Sequence, residues 1–118
     1  MTIDEAYNAV RAFHQRNDFP VGEGTREGLL LRLALLQEEL GEVASVITKS
    51  PPGTDHTGFA LEDWNHLTEE LSDVLYLWLG TAVHCGWTAD EVATVFAQVH
   101  AKNMSRAPRH TALQNTAG

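Results

Sequence analysis

The 118-residue sequence is poor in cysteine, in basic residues and in long apolar runs. Its single cysteine, Cys85, excludes an internal disulfide and fits a reducing compartment, so we expect a cytoplasmic protein. Eight lysines and arginines stand against 16 acids, which gives a net charge of −8. We therefore expect neither a nucleic-acid polymer nor a membrane as partner, because both require a basic face. No apolar run approaches the roughly 20 residues that span a bilayer, and no basic-then-apolar signal begins the chain.

Alternation with a period of two residues is also missing, so the sequence predicts an all-α fold. Apolar residues recur every three or four positions in four segments, which are separated by stretches containing proline or glycine. Thr2, Thr25 and Thr88 are expected to cap the first, second and fourth helices, and Gly86 to stop the third. The expected ends are Asn17, Ser50-Pro51, His84 or Cys85, and Ala107-Pro108. The third helix is expected to begin at Leu61–Asp63, after a loop at Thr54–Phe59.

The second helix organises the rest of the chain. Its apolar stripe consists of Leu29, Leu33, Leu36, Leu40, Val43 and Ile47. Glu39 and Glu42, three residues apart, share a neighbouring flank with Leu35 and Val46. Two carboxylates in half-buried surroundings repel each other and lose solvation, and a divalent cation relieves both penalties.

The third helix repeats this pattern, with Glu70 and Asp73 three residues apart beside an apolar stripe of Leu67, Leu71, Val74 and Trp78. Packing the two helices side by side would bring four carboxylates together. Ligands that are all oxygen suit Mg²⁺, or Mn²⁺, rather than zinc or copper. The sequence therefore predicts a metal site formed by Glu39, Glu42, Glu70 and Asp73.

These motifs resemble a known family. Glu39-x-x-Glu42, a gap of 27 residues and then Glu70-x-x-Asp73 are similar to the ExxE…ExxD signature of the MazG-like superfamily of all-α nucleoside triphosphate pyrophosphohydrolases. Lys102-Asn103-Met104-Ser105-Arg106 resembles that family's basic segment at the fourth helix. The resemblance extends from about Arg11 to Arg106.

The resemblance implies Mg²⁺-dependent hydrolysis of an NTP or dNTP, canonical or non-canonical, to the monophosphate and pyrophosphate, in nucleotide-pool house-cleaning. It implies that the four acids hold one to three Mg²⁺ ions, which neutralise and aim the triphosphate. It also implies that the first helix and the following loop contribute to a nucleoside pocket. That favours Phe13 and His14, and also Phe19, as substrate-binding residues; the further aromatic candidates are Trp64 and Trp87.

Other polar residues have two interpretations each. Lys102, Asn103 and Arg106 are expected to bind phosphate or sugar oxygens, unless they only complement the helix dipole. Glu38 and Glu69 are candidates for the spare carboxylate that holds an attacking water, although their helix phase directs them elsewhere. His66, one turn before Glu70, is expected either to support that acid or to be solvated. No Ser/His/Asp or Cys/His arrangement predicts a covalent intermediate.

The expected architecture is a four-helix bundle, with the second and third helices as a central antiparallel pair. Both helices are apolar on too many sides for one small bundle to cover, so we expect a homodimer or homotetramer. The expected domain spans residues 1–106, and residues 107–118 form a loose tail.

Three other functions compete with this prediction. A ferritin-like di-iron oxidase requires Glu-x-x-His pairs, and neither Glu42 nor Asp73 is a histidine. A phosphoribosyl-ATP pyrophosphohydrolase is an enzymatic alternative that the motifs do not exclude. A non-catalytic helical dimerisation module would bind no metal and would survive loss of the four acids.

Overall fold

The computed structural model describes residues 1–51 and 59–108. These residues form four helices, which are α1 (Ile3–Arg16), α2 (Arg26–Lys49), α3 (Leu61–Cys85) and α4 (Ala89–Ser105). No strand occurs in the two described ranges, so the all-α prediction is confirmed. Apart from Phe59, the predicted loop after Pro51 lies outside the described residues, as does the predicted tail beyond Pro108.

Local sequence signals set the helix ends. The Thr2 hydroxyl accepts a hydrogen bond from the Glu5 amide at 3.2 Å, and Glu5 completes a capping box at the start of α1. Thr25 and Thr88 likewise cap α2 and α4. Gly86 ends α3 in the left-handed conformation, with φ at 79°, which glycine adopts without steric cost.

The helices pack around α3. α2 runs antiparallel to α3, since Gly28 lies against His84 at one end and Glu39 lies beside Asp73 further along. α1 packs on α3 as well, and α4 packs on α1. The core joins α1, α3 and the first turn of α4, and its buried members are Tyr7, Val10, Leu79, Ala82, Val83 and Val92. The Tyr7 hydroxyl ties this core to the turn before α4 by donating to the carbonyl of Trp87.

The prediction that the apolar stripe of α2 forms a core face is wrong for the single chain. Leu33 and Leu40 are about half exposed, at 51% and 52%. α2 instead turns its acidic flank towards α3, because Gly28 and Gly80 allow close approach there. Shape, rather than hydrophobicity alone, decided which flank of this leucine-rich helix meets its neighbour.

The fourth helix also departs from expectation. Of its predicted apolar face, only Val92 is buried, while Val95, Phe96 and Val99 are exposed. Every residue from Ala93 to Pro108 is exposed. α4 is therefore anchored by its first turn, and the remainder extends from the single chain.

Candidate active site

The acids of α2 and α3 meet at the interface of the two helices. Glu39, Glu70 and Asp73 each offer one carboxylate oxygen, and the three oxygens lie within 4.8 Å of one another. Glu42 lies close enough to Glu70 and Glu39 for both groups to raise its pKa. All four sequence-predicted acids therefore share one site, as the matching three-residue spacings on two antiparallel helices require.

The depth of the carboxylates differs. Glu39 and Glu70 are half-buried, whereas Glu42 and Asp73 are exposed. The Oε2 atoms of Glu39 and Glu70 are enclosed and have no hydrogen-bond partner in the described chain. A buried carboxylate oxygen without a donor is unfavourable, so these two atoms mark a position suited to a ligand.

The electrostatics of the cluster agree with that assignment. Burial raises the pKa of Glu39, and the charges of Asp73, Glu70 and Glu38 raise it further. The close approach of the Glu70 carboxyl group raises the pKa of Glu42, and the charges of Glu70 and Glu39 add to this shift. Within the described chain no lysine or arginine forms an ion pair with the cluster. The empty cluster therefore favours protons, and a divalent cation would compete for the same oxygens.

His66 supports the cluster from one side. Its Nε2 lies 3.1 Å from Glu70 Oε1, one turn along α3, and leaves Oε2 of the same carboxylate unpartnered. Glu38 and Glu69 are exposed, beside Glu39 and Glu70 in the chain. The donor set offered to a cation is thus made of carboxylate oxygens, as hard cations such as Mg²⁺ prefer.

An aromatic group adjoins the cluster. The Phe13 ring lies 5.6 Å from those of both Tyr76 and Phe19, in edge-to-face contacts. These three rings are between 39% and 45% exposed, so their surfaces remain accessible. Tyr76 lies one helical turn after Asp73 on α3, which places the rings next to the acids.

His14 occupies a deeper position than its predicted role suggests. It is 2% exposed, its Nδ1 lies 3.1 Å from the Pro20 carbonyl, and its Nε2 lies 3.0 Å from Arg32 Nη2. Burial lowers the pKa of His14, with the hydrogen bond to Pro20 opposing and the Arg32 charge adding to the shift. The ring is neutral in this arrangement, and it lies behind Arg32 rather than at the surface.

The basic segment is not joined to the acids within one chain. Lys102, Asn103 and Arg106 are exposed at the end of α4. Asn103 and Arg106 line a shallow pocket with Ala107 and Pro108. The remaining aromatic candidates lie elsewhere: the Trp64 ring lies 5.0 Å from that of Phe59 in a tilted contact, and Trp87 lines an apolar groove with Trp78.

Sequence reasoning missed Arg32, Tyr76 and Gly80. Arg32 had a signal, since it lies two helical turns before Glu39 on the same flank of a leucine-rich helix. Tyr76 had a similar signal, since it lies one helical turn after Asp73 on α3. Gly80 had no such signal, because the role of a glycine within a helix depends on the residues that pack against it in the folded chain.

A comparison with known proteins gives one family whose model matches the chain. Residues 27–111 match the model of a family described as the MazG nucleotide pyrophosphohydrolase domain. This match covers α2, α3 and α4, including all four acids and the basic segment. No curated protein sequence matches the chain. No helix of the described residues combines the length and hydrophobicity of a membrane span.

Proposed function

The chain belongs to the MazG nucleotide pyrophosphohydrolase family and is a hydrolase of phosphoric anhydride bonds; we propose that it converts an NTP or dNTP to the monophosphate and pyrophosphate, with Mg²⁺ as cofactor. The observation that carries the proposal is the pair of enclosed, unpartnered oxygens, Glu39 Oε2 and Glu70 Oε2, inside a cluster of four acids. Substrates include canonical and non-canonical nucleotides, in keeping with a house-cleaning role.

The first role of the protein's own residues in this reaction is to hold the cation. Glu39 and Glu70 supply enclosed oxygens from below, and Asp73 and Glu42 supply exposed ones at the rim. His66 keeps Glu70 Oε1 occupied, so that Oε2 is the oxygen offered. When bound, Mg²⁺ neutralises the triphosphate charge and polarises its phosphorus–oxygen bonds.

Hydrolysis then requires a water in line with the bond that breaks. The water oxygen forms a bond to one phosphorus of the α–β bridge, the bond from this phosphorus to the bridging oxygen breaks, and the nucleoside monophosphate and pyrophosphate separate, with the bridging oxygen on the product that was not attacked. A carboxylate must take the proton that the water loses. Glu38 is our candidate for this base, because it is exposed beside Glu39 and is not one of the clustered acids.

The basic segment supplies charge of the opposite sign. Lys102 and Arg106 would bind phosphate oxygens, and Asn103 would bind a phosphate or the sugar. Replacing Lys102 or Arg106 by Ala should weaken nucleotide binding by about 1.5–3 kcal/mol for each lost charge-assisted hydrogen bond. The affinity for Mg²⁺ should change little, since the acids lie on other helices.

We also propose that the active protein is a homodimer or homotetramer. Leu30, Leu31 and Leu33 on α2 are 51–62% exposed. The apolar residues of α4 beyond its first turn, such as Phe96, are exposed as well. A second copy would cover these surfaces. It would also give the projecting α4, with its basic segment, something to pack against.

The test is a panel of nucleotides assayed for pyrophosphate release with and without MgCl₂. We expect release that requires Mg²⁺ or Mn²⁺ and stops on addition of a chelator. The panel includes the four canonical dNTPs, the NTPs, modified dNTPs and phosphoribosyl-ATP, which separates the phosphoribosyl-ATP alternative from the main proposal. Absence of release from every compound would contradict the proposed activity and favour a non-catalytic helical module.

A further inference from the structure

Arg32 is the one described lysine or arginine that is not exposed. It lies two turns before Glu39 on the flank of α2 that faces α3, about 10 Å away along the helix. Its only hydrogen bond in the described chain goes from Nη2 to His14 Nε2, and no carboxylate there pairs with it. Burial lowers the pKa of this guanidinium, which has lost hydration without gaining an anion.

His14 fixes the direction of the guanidinium. Because Nδ1 donates to the Pro20 carbonyl at 3.1 Å, Nε2 is left as an acceptor for Arg32. The ring is 2% exposed and therefore cannot swing away without opening the core. His14 is a positioning residue in this arrangement, and it neutralises none of the Arg32 charge.

Gly80 on α3 makes room for the pair. A Cβ atom at this position would lie 2.8 Å from Arg32 Nη1 and 2.9 Å from His14 Nε2. Glycine is unfavourable within a helix, so its presence opposite these two groups has a local structural reason. Three helices thus meet around one guanidinium.

The rest of the guanidinium is accessible. The enclosed side-chain nitrogen and oxygen atoms without a hydrogen-bond partner in the described chain belong to Glu39, Glu70 and His84. None of these atoms belongs to Arg32. Its nitrogen atoms other than the one bonded to His14 are therefore not fully enclosed. They form a fixed donor fork with no acceptor of its own.

Flat apolar surfaces separate this fork from the acids. Tyr76 lies on α3 between Asp73 and Gly80, one turn from each, and its ring contacts Phe13. The Phe19 ring lies 5.7 Å from the ring of His14, in an edge-to-face contact. Exposed rings favour the stacking of a base, whereas a phosphate gains little from them.

We infer that Arg32 is a specificity-determining residue that reads the nucleobase, and that it favours bases with two adjacent acceptors. Cytosine offers O2 and N3, and guanine offers O6 and N7, in the spacing that a guanidinium fork binds bidentately. Adenine and thymine have no such adjacent pair. This inference rests on the proposed function, since the triphosphate must lie at the acids for the base to reach Arg32.

The test compares kcat/KM for dCTP, dGTP, dATP and dTTP with Mg²⁺ in the parent protein and in Arg32→Lys. Lysine keeps the charge but lacks the fork. We expect the parent to favour dCTP or dGTP over dATP and dTTP by roughly 5- to 150-fold, as one bidentate arginine contact gives, and Arg32→Lys to abolish that ratio. Arg26→Lys, at an exposed arginine of the same helix, is the matched control and should keep it.

A second pair of variants examines positioning. His14→Ala should reduce the ratio, and His14→Gln should restore part of it, because an amide oxygen can accept from Arg32 in place of Nε2. Thermal unfolding and circular dichroism of each variant separate loss of selectivity from loss of fold.

The outcomes distinguish the inference from the proposed function. If the parent hydrolyses no compound of the nucleotide panel, both are wrong; if it hydrolyses other compounds of the panel but none of these four, only the inference is overturned. If it hydrolyses them without preferring dCTP or dGTP, or if Arg32→Lys lowers all four values by the same factor, Arg32 does not read the base and only the inference is overturned.

Discussion

Glu42 on α2 lies close to Glu70 on α3, and the interaction between the two carboxyl groups raises the pKa of Glu42. Two carboxylates this close repel each other unless a proton or a cation reduces their charge. The raised pKa of Glu42 and that of Glu39 therefore describe a site at which protons and a cation compete for the same oxygens. The pH dependence of the metal-free protein follows from this relationship.

First, the metal-free protein should lose stability as the pH rises through the raised pKa values of Glu39 and Glu42. A carboxyl group whose folded pKa is raised stabilises the fold fully below its unfolded pKa, about 4.5, and this contribution disappears as the pH passes the folded value. Melting temperatures in chelator between pH 4.5 and 8 measure the slope. Glu42→Gln should flatten it, whereas Glu69→Gln, at an exposed neighbour of Glu70, should not.

Second, Glu39→Gln should abolish Mg²⁺ binding and lower turnover by at least about 100-fold, the loss that removal of one preorganised electrostatic group produces. The metal-free melting temperature should stay the same or rise, because one charge leaves a repulsive cluster. Calorimetric titration with MgCl₂ and a pyrophosphate assay provide the two readings, with Glu62→Gln on the exposed start of α3 as control. Normal Mg²⁺ binding by Glu39→Gln would show that the acid cluster has a structural role and is not the metal site.

Third, His14 should make the protein less stable at mildly acidic pH. Its folded pKa is lowered, so the stability it provides is complete above the unfolded value of about 6.5 and is lost as the pH falls towards the folded value. The difference in melting temperature between the parent and His14→Gln should therefore shrink from pH 7.5 to pH 5.5. His100→Gln, at an exposed histidine of α4, should show no such change. A pH-independent difference would mean that His14 is not held neutral.

Fourth, two glycine-to-alanine changes should act in opposite directions. At Gly41, where a Cβ would meet nothing within 4 Å, alanine should stabilise α2 by about 0.5–1 kcal/mol. At Gly80, a Cβ 2.8 Å from Arg32 Nη1 should destabilise the protein by about 1–3 kcal/mol through overpacking. Urea unfolding measures both. Equal stabilisation would show that Arg32 and His14 move aside freely.

Fifth, Leu31→Glu should dissociate the proposed oligomer without unfolding the chain. Leu31 is 62% exposed in one chain, so a charge there costs little unless a partner covers it. Light scattering should give a multiple of 13.0 kDa for the parent and a lower mass for the variant. A parent protein that scatters as a 13.0 kDa monomer at micromolar concentration would contradict the oligomer.

The sequence by itself determined the features that depend on local spacing. Helix ends followed from Thr2, Thr25, Thr88 and Gly86, because caps and stops act within one turn. The meeting of Glu39, Glu42, Glu70 and Asp73 followed from two equal spacings on helices expected to pair. Both predictions needed only the geometry of a single helix and the polarity of its flanks.

Only the tertiary structure decided which flank of α2 meets α3, and therefore which leucines stay exposed. Leu33 and Leu40 have the pattern of a core stripe, but Gly28 and Gly80 admit a closer approach on the acidic side. The contact of Arg32 with His14 likewise joins residues from two helices against a third. Such contacts depend on shape complementarity between distant segments, which no periodicity within one segment encodes.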